Sequence, residues 1–205
     1  MSRVLLTGFE PFGGDEVNAS WEAVRLVGQQ PPDGVELSVM QLDCVFGRAP
    51  EQLADVIRET GPELVVCVGQ AGGRTDITLE RVAINLDEAR IPDNAGVSRH
   101  GTPVVADGPT AYFSSLPVKA CTAAVQEAGV PASLSYTAGT FVCNHVFYGL
   151  MHLIATELPE IRGGFVHVPA LDSLPAATAA EGLRALLTAA VHTTEDIEAP
   201  AGYTD

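Results

Sequence analysis

One cysteine in this chain sits where a nucleophile could be made. In the segment Thr137 to Gly149, TAGTFVCNHVFYG, Cys143 follows a glycine-containing turn and opens what reads as a helix. Asn144 can cap that helix, and Val146, Phe147, Leu150, Met151, Leu153 and Ile154 keep an apolar stripe at helical spacing to about Leu158. A thiol there lies at the positive end of the helix macrodipole, among backbone N–H groups without partners. Both features favour the thiolate, and the same N–H groups could hold an oxyanion. The other cysteines have blander settings: Cys67 lies inside the apolar run LVVCVG, Cys121 within a helix and Cys44 at a strand end. Packing as a small hydrophobe is the default for a free cysteine, and only the strand-turn-helix setting of Cys143 departs from it.

A nucleophilic cysteine needs a base, usually histidine, and a third group to orient the imidazole. Five histidines compete. His192 is near the C-terminus, His152 lies in the helix after Cys143, His100 falls in a loop, and His145 points to a different side of the helix start. His167 is the best placed, ending the strand GGFVHVP, although a strand-end histidine taken alone is more often structural. In ITLERVAIN, Glu80 could lie buried beside His167 and hold its tautomer, or face outward, or pair with a cation. Phe9 and Phe12 in the turn GFEPFGG, near Asn18, are either core or the walls of a pocket for a small flat ligand. The run GQAGGR from Gly69 to Arg74 fits neither nucleotide-binding pattern, and its backbone could equally hydrogen-bond an amide-bearing ligand.

Alternating strands and helices must position these groups. Strands are expected at Val4–Thr7, Val35–Leu42, Leu64–Val68, Ile77–Leu86, Ser133–Tyr136 and Gly164–Val168. Helices are expected from Asn18 or Ser20 to Gly28, over Pro50–Thr60 and Leu116–Ala128, after Cys143, and over Ala176–Thr193. Asp87 to Pro109 is rich in Gly, Pro, Asp and Asn and reads as a long loop, a length that usually serves function. The pattern predicts a three-layer α/β/α domain with a mainly parallel, mixed central sheet, whose ligands bind at the carboxyl ends of strands. The expectation is a single domain over residues 1–205, with about 194–205 as a frayed tail.

Bulk properties narrow the function. A net charge of −15 excludes the basic patches that nucleic acid or anionic membranes require. The four cysteines show neither CxxC nor metal-ligand spacing, so reduced thiols and no metal are expected. No apolar stretch approaches the roughly 18 residues of a membrane span, and the N-terminus reads as strand and turn, so a cytoplasmic protein is expected.

Beyond these readings, seven segments resemble one family in order. They are TGFEPFGG, NASWEAV, VGQAGGR, LERVAIN, RIPDNAG, TAGTFVCNHVFYGL and RGGFVHVP, which begin at Thr7 and end at Pro169. The chain is similar to pyroglutamyl peptidases of the cysteine-hydrolase type, also called pyrrolidone carboxyl peptidases. The resemblance implies Cys143 as nucleophile, His167 as general base and Glu80 as the orienting carboxylate. It implies Phe9, Phe12, Phe141, Asn18 and Gln70 around the substrate ring, and Arg90 at the oxyanion. It further implies no cofactor, a homotetramer, and cleavage of N-terminally pyroglutamylated peptides through a thioester. Two other readings compete: a purine-nucleoside phosphorylase or hydrolase, which would need no cysteine, and a catalytically inactive lactam- or peptide-binding module.

Overall fold

A computed structural model describes residues 1–200. Its centre is a six-stranded sheet in the order β2-β1-β3-β8-β4-β7. These strands are β1 (Ser2–Phe9), β2 (Val35–Leu42), β3 (Leu64–Gln70), β4 (Ile77–Glu80), β7 (Ala132–Ser135) and β8 (Arg162–Val168). All neighbouring pairs are parallel except β4 and β8. The runs LVVCVG in β3 and VLLTGF in β1 are buried throughout, as strands covered on both faces must be.

Alternation along those strands sorts the core into two layers. Val4, Leu6, Val66 and Val166 face α1 (Ala19–Gln29), α3 (Val118–Glu127) and α5 (Ala176–His192). Leu5, Val65, Cys67 and Phe165 face α2 (Arg48–Thr60) and α4 (Val142–Thr156). The expected three-layer α/β/α architecture with a mixed sheet is therefore the one observed.

Two expectations about the strands are corrected. Ile77–Leu86 is not one strand: the chain leaves the sheet after Glu80, and β5 (Val82–Ile84) pairs instead with β6 (Ala111–Phe113). Arg81 is the pivot, since its N–H donates to the Ser135 carbonyl at 2.7 Å and its carbonyl accepts from Ser114 N at 3.0 Å. The short β6 lies in a stretch with no expected element, because three residues carry too little periodicity to register. In the expected tail, the Asp196 carboxylate accepts from Lys119 N and Ala120 N at 3.1 and 2.9 Å, serving the first turn of α3. The tail's last residues, 201–205, lie outside the described residues.

Candidate active site

Cys143 is the second residue of α4, whose N-cap is Phe141 in extended conformation with no side-chain cap. Gly139, at φ +76°, turns the chain into that start. The N–H groups of Val142, Cys143 and Asn144 have no acceptor within the helix and point towards its mouth. Asn144 does not cap the helix, contrary to expectation. It lies inside the first turn, where its Oδ1 accepts from Ile84 N at 3.0 Å and its Nδ2 donates to the Ile84 and Leu86 carbonyls. An amide with one acceptor and two donors is thus used up in fastening β5 to α4.

Gly69 explains how the sulfur reaches the sheet. A Cβ at that position would lie 2.9 Å from Cys143 Sγ, so only glycine leaves room for the thiol. Gly69 is the register partner of His167 on the neighbouring parallel strand. Cys143 and His167 therefore meet at the carboxyl edge of β3 and β8, on the α2/α4 side. Cys143 is half-buried, while Cys44, Cys67 and Cys121 are buried.

Glu80 arrives from the opposite direction. Because β4 runs antiparallel to β8, Thr78 lies level with His167, and Glu80 lies one pleat deeper on the same face, opposite Phe165. The diagonal relation lets His167 Nδ1 bond Glu80 Oε1 at 2.7 Å, with Glu80 fully buried. His167 Nε2 has no hydrogen bond among the described residues. The structure thus brings Cys143, His167 and Glu80 together.

The electrostatics of the thiol differ from the helix-terminus expectation. Burial pushes the Cys143 thiol up, and the nearby Cys44, Glu80 and Cys67 add to the rise, while Arg74 opposes it. A thiol raised in this way needs a base to take its proton during attack.

The aromatic residues divide into wall and backing. Phe12 and Phe141 are half-buried and pack on each other, with ring centroids 6.1 Å apart and planes tilted by 38°, an apolar wall close in sequence to Cys143. Phe46, which was not anticipated, meets Phe141 edge-on at 5.4 Å. Phe9 is 2% exposed and packs on Phe165, so it offers no free face. Asn18 is also buried, as the N-cap of α1: Oδ1 accepts from Ser20 and Nδ2 donates to the Glu10 carbonyl. Gln70 spends its side chain on the fold: Oε1 accepts from Ala19 N at 2.6 Å and Nε2 donates to Asp15 Oδ2 at 3.3 Å. Arg90 is exposed and has no hydrogen bond among the described residues. It follows Glu88, whose N–H bonds the Thr140 carbonyl just ahead of Cys143.

Arg74 was passed over in the sequence because GQAGGR reads as a ligand loop. In the structure its Nη1 donates to Glu80 Oε1 at 2.5 Å. The only cue was a cation in an acidic chain close to the strand that carries Glu80. His145 has its own carboxylate, with Nδ1 2.9 Å from Asp87 Oδ2, and its Nε2 accepts from Gly47 N at 3.1 Å. A cavity of about 550 Å³ between α2 and α4 is not lined by Cys143 but by residues such as Pro50, Arg58 and His152.

Comparison with known proteins gives the family of the chain. The profile of the pyroglutamyl peptidase family matches residues 2–194. The pyrrolidone-carboxylate peptidase of Streptomyces coelicolor is 58% identical, with 100% of both chains covered. Pyroglutamyl peptidase I of Bacillus amyloliquefaciens is 43% identical and superposes with a TM-score of 0.94 over 96% of this chain and 100% of the other. The pyrrolidone carboxyl peptidase of Thermococcus litoralis, 30% identical, gives a TM-score of 0.93 over 98% of this chain and 100% of that one. On this match of sequence and fold, the chain belongs to the pyroglutamyl peptidase family.

Proposed function

We propose that Cys143, His167 and Glu80 carry out the family's reaction in this chain, the hydrolysis of the amide bond after an N-terminal pyroglutamyl residue. One observation carries the reading: Cys143 Sγ lies over Gly69, the register partner of a histidine whose Nδ1 is held by Glu80 and whose Nε2 is unbonded. His167 Nε2 takes the thiol proton as sulfur attacks the pyroglutamyl carbonyl. The uncommitted N–H groups at the start of α4, with Arg90, stabilise the oxyanion. His167 returns the proton to the leaving amine, and a water it then activates hydrolyses the thioester. Glu80 holds the ring through Nδ1 and stabilises the imidazolium.

The half-buried rings of Phe12 and Phe141 offer an apolar wall to a flat uncharged lactam, with Phe9 behind them and backbone groups near Gln70 answering the lactam N–H and C=O. Asn18 contributes by fixing the start of α1 beside that wall. The protein acts in the cytoplasm as a homotetramer. Its free thiols fit a reducing compartment, and Phe113, 68% exposed on β6, is the kind of surface an interface would cover.

Release of a chromophore from a pyroglutamyl anilide by the wild type, and its loss in Cys143→Ser, is the expected result. Full activity in Cys143→Ser would overturn the assignment and favour a cysteine-independent enzyme. Light scattering giving the mass of one chain would remove the tetramer.

A further inference from the structure

Glu80 is wholly buried, and both of its contacts fall on one oxygen. Oε1 meets His167 Nδ1 at 2.7 Å and Arg74 Nη1 at 2.5 Å, while Oε2 has no partner among the described residues. A carboxylate removed from water has lost the solvation that sustains its charge, and one imidazole N–H does not replace it. The guanidinium does. It is itself fixed from three directions: Nη1 also donates to Thr78 Oγ1, and Nη2 donates to Ser135 Oγ at 3.2 Å and to the Thr137 carbonyl at 3.0 Å. Thr78 is the register partner of His167, and Thr137 opens the turn that leads to Cys143.

We infer that Arg74 is a positioning residue of this site: by bridging Glu80, Thr78, Ser135 and the Thr137 carbonyl, it keeps Glu80 directed at His167. This rests on the cysteine-peptidase reading above. Arg74 makes no hydrogen bond to the sulfur, and it acts through Glu80 on the orientation of the imidazole. Both terminal nitrogens are engaged on different elements, so a lysine, with a single point charge, supplies the charge without the fork. The guanidinium also borders an open groove of about 380 Å³ with Asp76, Ser133 and Tyr136, so Arg74→Ala leaves the space it occupied open to a small cation from that groove.

A double-mutant cycle tests the assignment. Arg74→Ala is expected to lower kcat on the pyroglutamyl anilide about 100-fold, within the range of a disabled acid–base step, and to change KM by less than about twofold. In a Glu80→Gln background the same replacement should lower kcat by less than about twofold, because residues acting as a unit are not additive. Arg74→Lys should recover part of the loss. Free guanidinium ion should restore Arg74→Ala at concentrations where urea does nothing. An unchanged kcat in Arg74→Ala, or equal losses in both backgrounds, would overturn the inference.

Thermal melting identifies a variant that has failed to fold, and Arg74→Lys then carries the same cycle. Alkylation of Cys143 by iodoacetamide, followed by peptide mass, gives a readout that needs no substrate. It should slow in Arg74→Ala and be non-additive with Glu80→Gln. A wild type inert to the anilide but with a non-additive alkylation cycle would defeat the peptidase reading and leave Arg74 in place. Anilide cleavage with additive losses would do the reverse.

Discussion

His167 and His145 are both nearly buried, both turn Nδ1 to a fully buried carboxylate, and both carboxylates meet an arginine. His167 pairs with Glu80 at 2.7 Å, with Arg74 at 2.5 Å. His145 pairs with Asp87 at 2.9 Å, with Arg99 at 2.9 Å. The difference lies at Nε2 and in what carries the carboxylate. His145 Nε2 accepts the Gly47 N–H, so both ring nitrogens are bound to the fold, and Asp87 belongs to the long loop. His167 Nε2 is unbonded beside Gly69 and Cys143, and Glu80 belongs to the central sheet. A histidine–carboxylate–arginine constellation is therefore not a signature of catalysis. An open nitrogen next to a nucleophile makes the difference, and the closed version works as a clasp between loop and helix.

The clasp still reaches the site. Phe46 meets the His145 ring edge-on at 5.3 Å and Phe141 edge-on at 5.4 Å, so the ring wall rests on the second constellation. The sharpest way to break the comparison is to remove each imidazole in turn. His167→Ala should lower kcat by about 10⁴-fold while thermal melting stays close to wild type. Comparable activity in His167→Ala would mean that the open nitrogen is not the base. Next in size is the lactam: prolyl anilides, lacking the ring carbonyl, should be cleaved at least about 10³-fold less efficiently, as a site with unanswered polar groups requires. Equal kcat/KM for the two substrates would dismiss the pocket formed by Phe12 and Phe141.

His145→Ala is expected to behave in the opposite way to His167→Ala. It leaves Asp87 with one partner fewer and Gly47 N–H unanswered, a loss of about 2–4 kcal/mol in denaturant unfolding. Its kinetic effect should fall on KM, rising roughly fivefold as Phe46 and Phe141 lose their support, since an edge-on aromatic contact contributes about 1 kcal/mol. A kcat loss as large as that of His167→Ala, with stability unchanged, would erase the distinction.

Much of this was legible in the residues. The layered α/β fold followed from periodicity, and Cys143 stood out because a strand-turn-helix setting is visible locally. His167 could be ranked first because its strand end was clear. Three features were not legible, each for a physical reason. The antiparallel course of β4 depends on pairing across the sheet, so neither the depth of Glu80 nor the reach of Arg74 could be read from spacing. Asn144 looked like a cap because Asn favours caps, yet tertiary hydrogen bonds to Ile84 and Leu86 outweighed that preference. His145 pointed to a different side, as read, but its carboxylate came from a loop with no periodicity at all.

The smallest effect compares the thiols that accompany the two constellations. Cys67 lies under His167, opposite Phe165 on the neighbouring strand, and Cys44 opens the loop whose Gly47 binds His145. Burial pushes both thiols up, from an ordinary value of 9.0 to about 12, and Glu10 and Asp93 add to the rise at Cys44. A raised thiol binds its proton more tightly folded than unfolded, so its stabilisation is complete below pH 9 and disappears as pH rises from 9 towards 12. One unit above the unfolded value, each thiol withdraws about 1.4 kcal/mol. Unfolding free energies measured between pH 8 and pH 10 should therefore fall less in Cys67→Ala and in Cys44→Ala than in wild type. The comparison uses the pH slope, because either replacement also leaves a cavity that lowers stability at every pH. Identical slopes in wild type and Cys67→Ala would mean that this sulfur ionises in the folded protein as readily as in the unfolded chain, contrary to its complete burial beneath the site.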